Sequence, residues 1–248
     1  MERITSRKNP KIQHLKKLGS SKSYRSECGE FLCDGRKLLE EAVSNGAEVI
    51  NVAYCGEKPE CVPAEAAVIE VTRDIIEYIS VMKTPQDVVF TCRIPKREET
   101  HQNGGKYIVI EEVQDPGNVG TIMRTARAMG YDSVILLPGC ADLYSSKTVR
   151  STMGAIFRQH AFEADLEYIK KLKADGVSVM GAALADDSVD IRSVKFDNFA
   201  ICIGSEGRGL SKELLELCDT KIIIPMMQEC ESLNAAMAAG IIMWESVR

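Results

Sequence analysis

The chain reads as an α/β protein in two parts: a small N-terminal α/β module, then a larger domain on a mostly parallel sheet. Two observations predict this. Short apolar runs alternate with helix-patterned segments along nearly the whole length, the order that covers a parallel sheet on both faces. A polar, charged, glycine-ended stretch at 96–105 interrupts the alternation and reads as a linker. The expected organisation is therefore a module over 1–95, a linker over 96–105 and a domain over 106–248.

In the first module, Asn9-Pro10 opens a helix over about 10–18, with Ile12, Leu15 and Leu18 on one face. A short strand follows at 30–33. The helix over 36–44 is stopped by Asn45-Gly46. Strands at 49–54 and 66–71, a helix at 73–79 and a strand at 88–92 complete the module. In the second domain a buried strand at 107–110 leads to a helix over about 118–129. A strand at 133–137 ends at Pro138-Gly139. Helices are expected over about 146–156 and 166–174, then a strand at 177–182. The strand at 199–203, the helix at 212–217, the strand at 221–224 and a final helix over 233–247 close the chain.

Bulk properties narrow the class. Of 248 residues, 45% are hydrophobic and 27% charged, values of a soluble globular protein with room for an unstapled core. No apolar run spans a bilayer, and the N-terminus has no signal-peptide design, so a cytoplasmic protein is expected. Nine cysteines without a CxxC pair read as reduced thiols. His14, His101 and His160 are scattered, so no metal site is expected. The net charge of −5 argues against a generally sticky nucleic-acid binder. Yet Arg3, Arg7, Lys8, Lys11, Lys16, Lys17, Lys22 and Arg25 stand together with no acidic residue among them. That run is either a solvated helix face or an electrostatic footprint for phosphate.

Three stretches could carry chemistry. The apolar run at 199–203 stops at Gly204-Ser205-Glu206-Gly207-Arg208-Gly209. This is either an ordinary turn with Ser211 capping the next helix, or a loop whose glycines bring backbone up to a ligand. Asn118 and Arg124 open one helix, with Arg127 beside Arg124; Asn118 could be merely its cap and the arginines surface charges. Ser232-Leu233-Asn234 opens the last helix, with Ser232 as a candidate cap. Ala235, Ala236, Ala238, Ala239 and Gly240 make that helix thin, suited to close core packing or to a subunit contact. Lys147 and Arg150 share a helix face by spacing; they could grip phosphates or simply be solvated.

Taken together in this order, Asn118-Val119-Gly120 with Arg124, Gly204 to Ser211, and Ile224-Pro225-Met226 with Ser232-Leu233-Asn234 resemble the motifs of the SpoU-type SPOUT methyltransferases, which methylate RNA ribose 2′-hydroxyls. The segment 147–157 resembles the family too, and 31–51 resembles its N-terminal substrate-binding module. Two features depart from the pattern: the bulky polar Gln228-Glu229-Cys230, and Asp87 after Thr84-Pro85-Gln86.

The resemblance implies a C-terminal trefoil-knot domain that binds S-adenosylmethionine, a homodimer, and an RNA substrate; ribosomal RNA is expected because a separate N-terminal module suits a large structured substrate. It implies cofactor contacts at Gly204, Ile224, Leu233, Leu136, Pro138, Met226 and Gly209. It implies catalytic positions at Arg124, Asn118, Glu206, Ser232 and Asn234. RNA contacts are expected at Lys8, Lys11, Lys16, Lys17, Arg36, Lys147 and Arg150. A guanidinium holds its proton, so Arg124 is expected to grip phosphate and stabilise a developing alkoxide. Asn118, Glu206, Ser232 and Asn234 would orient ribose and cofactor, with Glu206 the one ordinary proton acceptor among them. The alternatives are methylation of transfer RNA or of a base, or an RNA-binding protein without turnover.

Overall fold

The computed structural model describes residues 2–96, 104–227 and 232–248. The chain forms two compact units. One comprises Met1–Lys96 with Asp142–Arg158, the other Arg97–Ala141 with Gln159–Arg248. The segment 142–158 lies inside the expected 106–248 domain by sequence, yet packs with the first unit. Of the expected linker, residues 97–103 lie outside the described residues.

The first unit holds a five-stranded sheet in the order β1-β4-β3-β5-β2. Its strands are β1 (Glu2–Ile4), β2 (Glu30–Asp34), β3 (Val49–Tyr54), β4 (Ala67–Val71) and β5 (Val88–Arg93). β1 and β3 pair with β4 in parallel, while β2 and β3 pair with β5 antiparallel. The first helix, Pro10–Ser20, starts as expected: the Asn9 side chain accepts from the Lys11 N–H. Ile12, Leu15 and Leu18 are buried in one core with Ile4, Ile69 and Ile76. The basic N-terminal run is thus built into the fold. Three of its charges are already paired, Arg3 with Glu70, Arg7 with Asp74 and Arg25 with Asp142.

Arg25 sits on a helix the periodicity missed, Lys22–Cys28, capped by Ser21 and closed by Gly29 in a left-handed conformation. Its guanidinium is buried; it donates to the Leu18 carbonyl and pairs with Asp142. Nearby, the Phe31 ring packs against Tyr144 and Phe157 at centroid distances of 5.0 and 6.2 Å. These contacts hold 142–158 in the first unit. The helix expected over 146–156 is shorter, Ser146–Ser151, because Met153 and Gly154 take left-handed φ values of 49° and 88° that end helical geometry. Replacing Asp142 by alanine leaves a buried guanidinium without its carboxylate. A loss of about 3–5 kcal/mol is expected for this unit, read by urea unfolding.

The second unit carries a seven-stranded sheet in the order β10-β12-β9-β11-β6-β7-β8. Its strands are β6 (Lys106–Ile110), β7 (Ser133–Leu136), β8 (His160–Glu163), β9 (Ser178–Ala182), β10 (Val189–Asp190), β11 (Phe199–Ile203) and β12 (Thr220–Ile223). Every pairing between them is parallel. β11 is buried along its whole length, as its unbroken apolar run requires. Helices Pro116–Ala128, Leu166–Ala174, Lys212–Leu217 and Ala235–Glu245 cover the sheet. Parallel pairing aligns all strand carboxyl ends, so the loops after β6, β9, β11 and β12 gather at one edge.

The last helix starts later than expected, at Ala235, and its cap is Asn234 instead of Ser232: the Asn234 side chain accepts from Ala236 and Met237 N–H groups. Likewise Asp115, not Asn118, caps the Pro116–Ala128 helix. These two helices pack against each other, and the small buried residues Gly120, Ala235, Ala236 and Ala239 permit the close approach.

Candidate active site

The carboxyl end of β11 begins the site. Residues 204–210 form a tight loop closed by two backbone hydrogen bonds, Ser205 N–H to Gly209 O (3.2 Å) and Gly209 N–H to Ser205 O (2.9 Å). Gly209 has a φ of 69°. A Cβ on Gly204 would lie 2.1 Å from the Gly209 carbonyl carbon and oxygen, so only glycine fits. Ser211 then caps the Lys212–Leu217 helix through Leu214 N–H. Its own N–H and hydroxyl donate to the buried Glu111 carboxylate, each at 2.7 Å. The tight turn and the helix cap expected as alternatives to a ligand loop are thus both present in one structure. Glu111 carried no sequence signal, since it follows an apolar strand as any surface carboxylate could.

Glu206, at the loop tip, joins the two other motif segments. Its Oε1 accepts from Asn118 Nδ2 at 2.6 Å, from Asn234 Nδ2 at 2.7 Å and from the Ala235 N–H at 3.3 Å. Asn234 Nδ2 also lies 3.1 Å from Asn118 Oδ1, to which it donates. Two helix N-termini thus converge on one carboxylate, where their free N–H groups and dipoles favour negative charge. One oxygen is saturated and the carboxylate is fixed in orientation, leaving Oε2 as its open acceptor among the described residues. Ser232 is exposed and stands outside this network. Arg124 is exposed and makes no ion pair or hydrogen bond among the described residues; the six-residue spacing keeps it away from Asn118.

A cavity of about 480 Å³ opens at the ends of β9, β11 and β12, within the size range of small-molecule sites. Gly204, Gly209, Ile224, Met226 and Leu233 line it, together with Ser232. So do Ala182, Ala183 and Leu184, which sequence reading missed because a lone Gly181 before an alanine run is no motif. Leu136 and Pro138 stand apart from this cavity. They end β7, which β6 and β11 separate from β9. Neither lines this cavity, and Pro138 instead borders a separate one with Glu111 and Glu112. A smaller cavity of about 280 Å³ shares the Ser205–Arg208 wall and Ala235 with the first and adds Glu112 to Asp115 and Asn118.

Burial pushes the Cys140 thiol up to about 11, so it stays protonated at neutral pH and is a poor nucleophile. Among the described residues, no group of three or more His, Cys, Asp or Glu could hold a metal ion, and no helix is long and apolar enough to cross a membrane. The bulky residues Gln228, Glu229 and Cys230 lie outside the described residues.

In the first unit, Lys8, Lys11, Lys17, Lys147 and Arg150 are exposed. The Lys16 and Lys17 ammonium groups lie 5.1 and 5.4 Å from the ring centroids of Tyr78 and Tyr24. Arg36 is engaged elsewhere: its Nε donates to Asp87 at 2.8 Å and its Nη2 to the Glu57 carbonyl. That hydrogen bond holds the Asp87 carboxyl below its ordinary range. The unusual aspartate in the 84–87 turn thus occupies an arginine expected to face RNA.

The chain is similar to known proteins over nearly its whole length. The SpoU rRNA Methylase family matches residues 105–244 and an MRM3-like substrate binding domain matches residues 9–89. The chain is 35% identical over 247 residues to the 23S rRNA (guanosine(2553)-2′-O)-methyltransferase RlmP of Bacillus subtilis, covering 98% of each. It is 30% identical to the 23S rRNA (uridine(2479)-2′-O)-methyltransferase of Streptomyces viridochromogenes, covering 99% of this chain and 92% of that one. The AdoMet-bound rRNA methyltransferase from Sinorhizobium meliloti superposes with a TM-score of 0.91 at 32% identity, over 99% of this chain and 97% of that one.

Proposed function

The chain belongs to the SpoU rRNA methylase family, and from that premise we propose that it transfers the methyl group of S-adenosylmethionine to a ribose 2′-hydroxyl of ribosomal RNA, in the cytoplasm. One observation carries the reading most: Asn118, Glu206 and Asn234, from three segments far apart in sequence, are joined by hydrogen bonds beside a cofactor-sized cavity. The cavity suits the cofactor. Its apolar lining from Ile224, Met226 and Leu233 matches an adenine face, and the strand-end backbone at Gly204 offers edge hydrogen bonds.

The cofactor supplies a methyl group already activated by its sulfonium. What remains for the chain is positioning and one proton. Holding the ribose oxygen in line with the methyl group contributes roughly 7–11 kcal/mol. Asn118 and Asn234 fix Glu206 through one oxygen, which leaves the other to accept the 2′-hydroxyl proton. Arg124, exposed and unpaired among the described residues, serves as the phosphate grip. Ser232, at the cavity rim, orients the cofactor. The fold is read as knotted in its C-terminal unit, as the family resemblance implies. The test is incubation with methyl-labelled cofactor and ribosomal RNA, then alkaline hydrolysis. Label in alkali-resistant dinucleotides supports ribose methylation; label in base-modified nucleotides or in none overturns it.

The first unit is read as the RNA-holding part, with Lys8, Lys11, Lys16, Lys17, Lys147 and Arg150 as contacts. Deleting the N-terminal run would remove core residues Ile12, Leu15 and Leu18, so charge removal is the sound test. A Lys8→Ala/Lys11→Ala/Lys17→Ala protein is expected to bind RNA more weakly, with its log-affinity against log-salt slope reduced by about 2. An unchanged slope in filter-binding titrations removes these lysines from the interface.

The protein is also read as a homodimer. Met237, Ile241 and Trp244 leave 60%, 36% and 57% of their surface exposed, an apolar stripe at helical spacing on the last helix. Trp244→Glu is expected to yield monomers in sedimentation velocity.

A further inference from the structure

The printed names of two relatives specify different target bases, a guanosine and a uridine, so family membership leaves the base open. The smaller cavity bears on it. Its wall at Ser205–Arg208 is shared with the cofactor cavity. A ribose at that shared wall therefore directs the rest of its nucleotide into the smaller space. Three carboxylates line that space, Glu112, Asp115 and Glu206, against one guanidinium, Arg208. The Arg208 Nη1 lies 3.9 Å from Glu112 Oε2, and its side chain is 84% exposed. Gln114 adds an amide that can donate or accept.

A phosphate is repelled by this charge balance, whereas a donor-rich base edge is attracted. The four bases differ here. Uracil offers one ring N–H between two carbonyl acceptors. Cytosine and adenine each offer an amino group beside an acceptor nitrogen. Only guanine presents two adjacent donors, its ring N–H and amino group, which one carboxylate accepts in parallel. Its carbonyl oxygen then needs a donor, which Arg208 or Gln114 supplies. Protein recognition of unpaired RNA bases works through such edge contacts.

We propose that this cavity receives the base of the methylated nucleotide and selects guanine, with the Glu112 carboxylate reading its two donors. The proposal rests on the ribose-methyltransferase reading and names its substrate more narrowly. The test uses the intact protein, methyl-labelled S-adenosylmethionine, and large ribosomal subunits and their free RNA from cells lacking the gene. The RNA is digested to nucleosides and separated. Label in 2′-O-methylguanosine is expected. Label in another 2′-O-methylnucleoside overturns the base assignment while ribose methylation stands. Label in a base-methylated nucleoside, or in none, overturns both.

A second arm isolates Glu112. Glu112→Gln is expected to lower kcat/KM for the RNA roughly 5- to 150-fold, the range for one bidentate base contact. Cofactor Kd should be unchanged, because Glu112 lines the smaller cavity and not the larger. Glu112→Asp, which keeps the two acceptors, should recover part of the loss. RNA kinetics like those of the parent in Glu112→Gln, or a matching fall in cofactor affinity, overturn the role given to Glu112.

Discussion

Glu206→Gln is expected to lose roughly 100- to 10,000-fold in methyl transfer, the usual contribution of a positioned acid–base group, while still binding S-adenosylmethionine. The reason lies in how the carboxylate is held. Oε1 already accepts from Asn118 Nδ2, Asn234 Nδ2 and the Ala235 N–H. A glutamine must turn its carbonyl oxygen toward those three donors, because its amide NH₂ would face them donor to donor. The NH₂ then replaces Oε2, the oxygen proposed to take the ribose proton. The variant therefore keeps the fold of the site and loses its acceptor. Single-turnover rates at fixed pH, set beside calorimetric cofactor Kd, separate the two effects. A glutamine variant at the full parental rate would show that solvent or another group takes the proton.

Asn118→Ala acts on the same oxygen from the opposite side, and comparison with Glu206→Gln is informative. It removes one of three donors but leaves the carboxylate chemically able to accept a proton. Its rate loss should be smaller, and the double variant should lose less than the two single losses combined, as expected for residues in one network.

How far this site was legible in the sequence follows from the length scale of each signal. The apolar run at 199–203 and the Gly204–Gly209 cluster act within a few residues, so a buried strand and a tight loop could be read directly. Three edge strands were not: β1 and β10 carry three and two residues, too few for a pattern, and β8 is bounded by His160 and Glu163 instead of forming an apolar run. The Lys22–Cys28 helix buries an arginine rather than an apolar face, so periodicity passed it by. The packing of 142–158 with the first unit depends on Asp142 meeting Arg25, a partner 117 positions away. The same limit applies to the site. Motif order pointed to Asn118, Glu206 and Asn234, but their meeting at a single oxygen is a tertiary fact. Where only local reasoning was available, at Leu136 and Pro138, the strand order of the sheet puts two strands between β7 and β9, and Pro138 borders a different cavity.

The most damaging single methyl group in the site is expected at Gly204. Gly204→Ala puts a Cβ 2.1 Å from the Gly209 carbonyl carbon and oxygen and 2.5 Å from the Leu210 nitrogen. These are backbone atoms, so no side-chain rotation relieves the overlap. The loop must move, which breaks the Ser205–Gly209 hydrogen bonds and shifts the Ser211 cap held by Glu111. Overpacking of this kind costs about 1–3 kcal/mol or more. Because Gly204 and Gly209 both line the larger cavity, the strain falls directly on the proposed cofactor site. A tenfold to hundredfold weaker cofactor Kd corresponds to about 1.4–2.8 kcal/mol and is the expected result by calorimetry, with a lower Tm. Gly207, three residues on, is the internal control: a Cβ there meets nothing within 4 Å, so Gly207→Ala should keep the parental Tm. Equal Tm and cofactor affinity in Gly204→Ala and the parent would mean that the loop lies farther from the β11 end than 204–209 requires, and that the cavity is not held open by it.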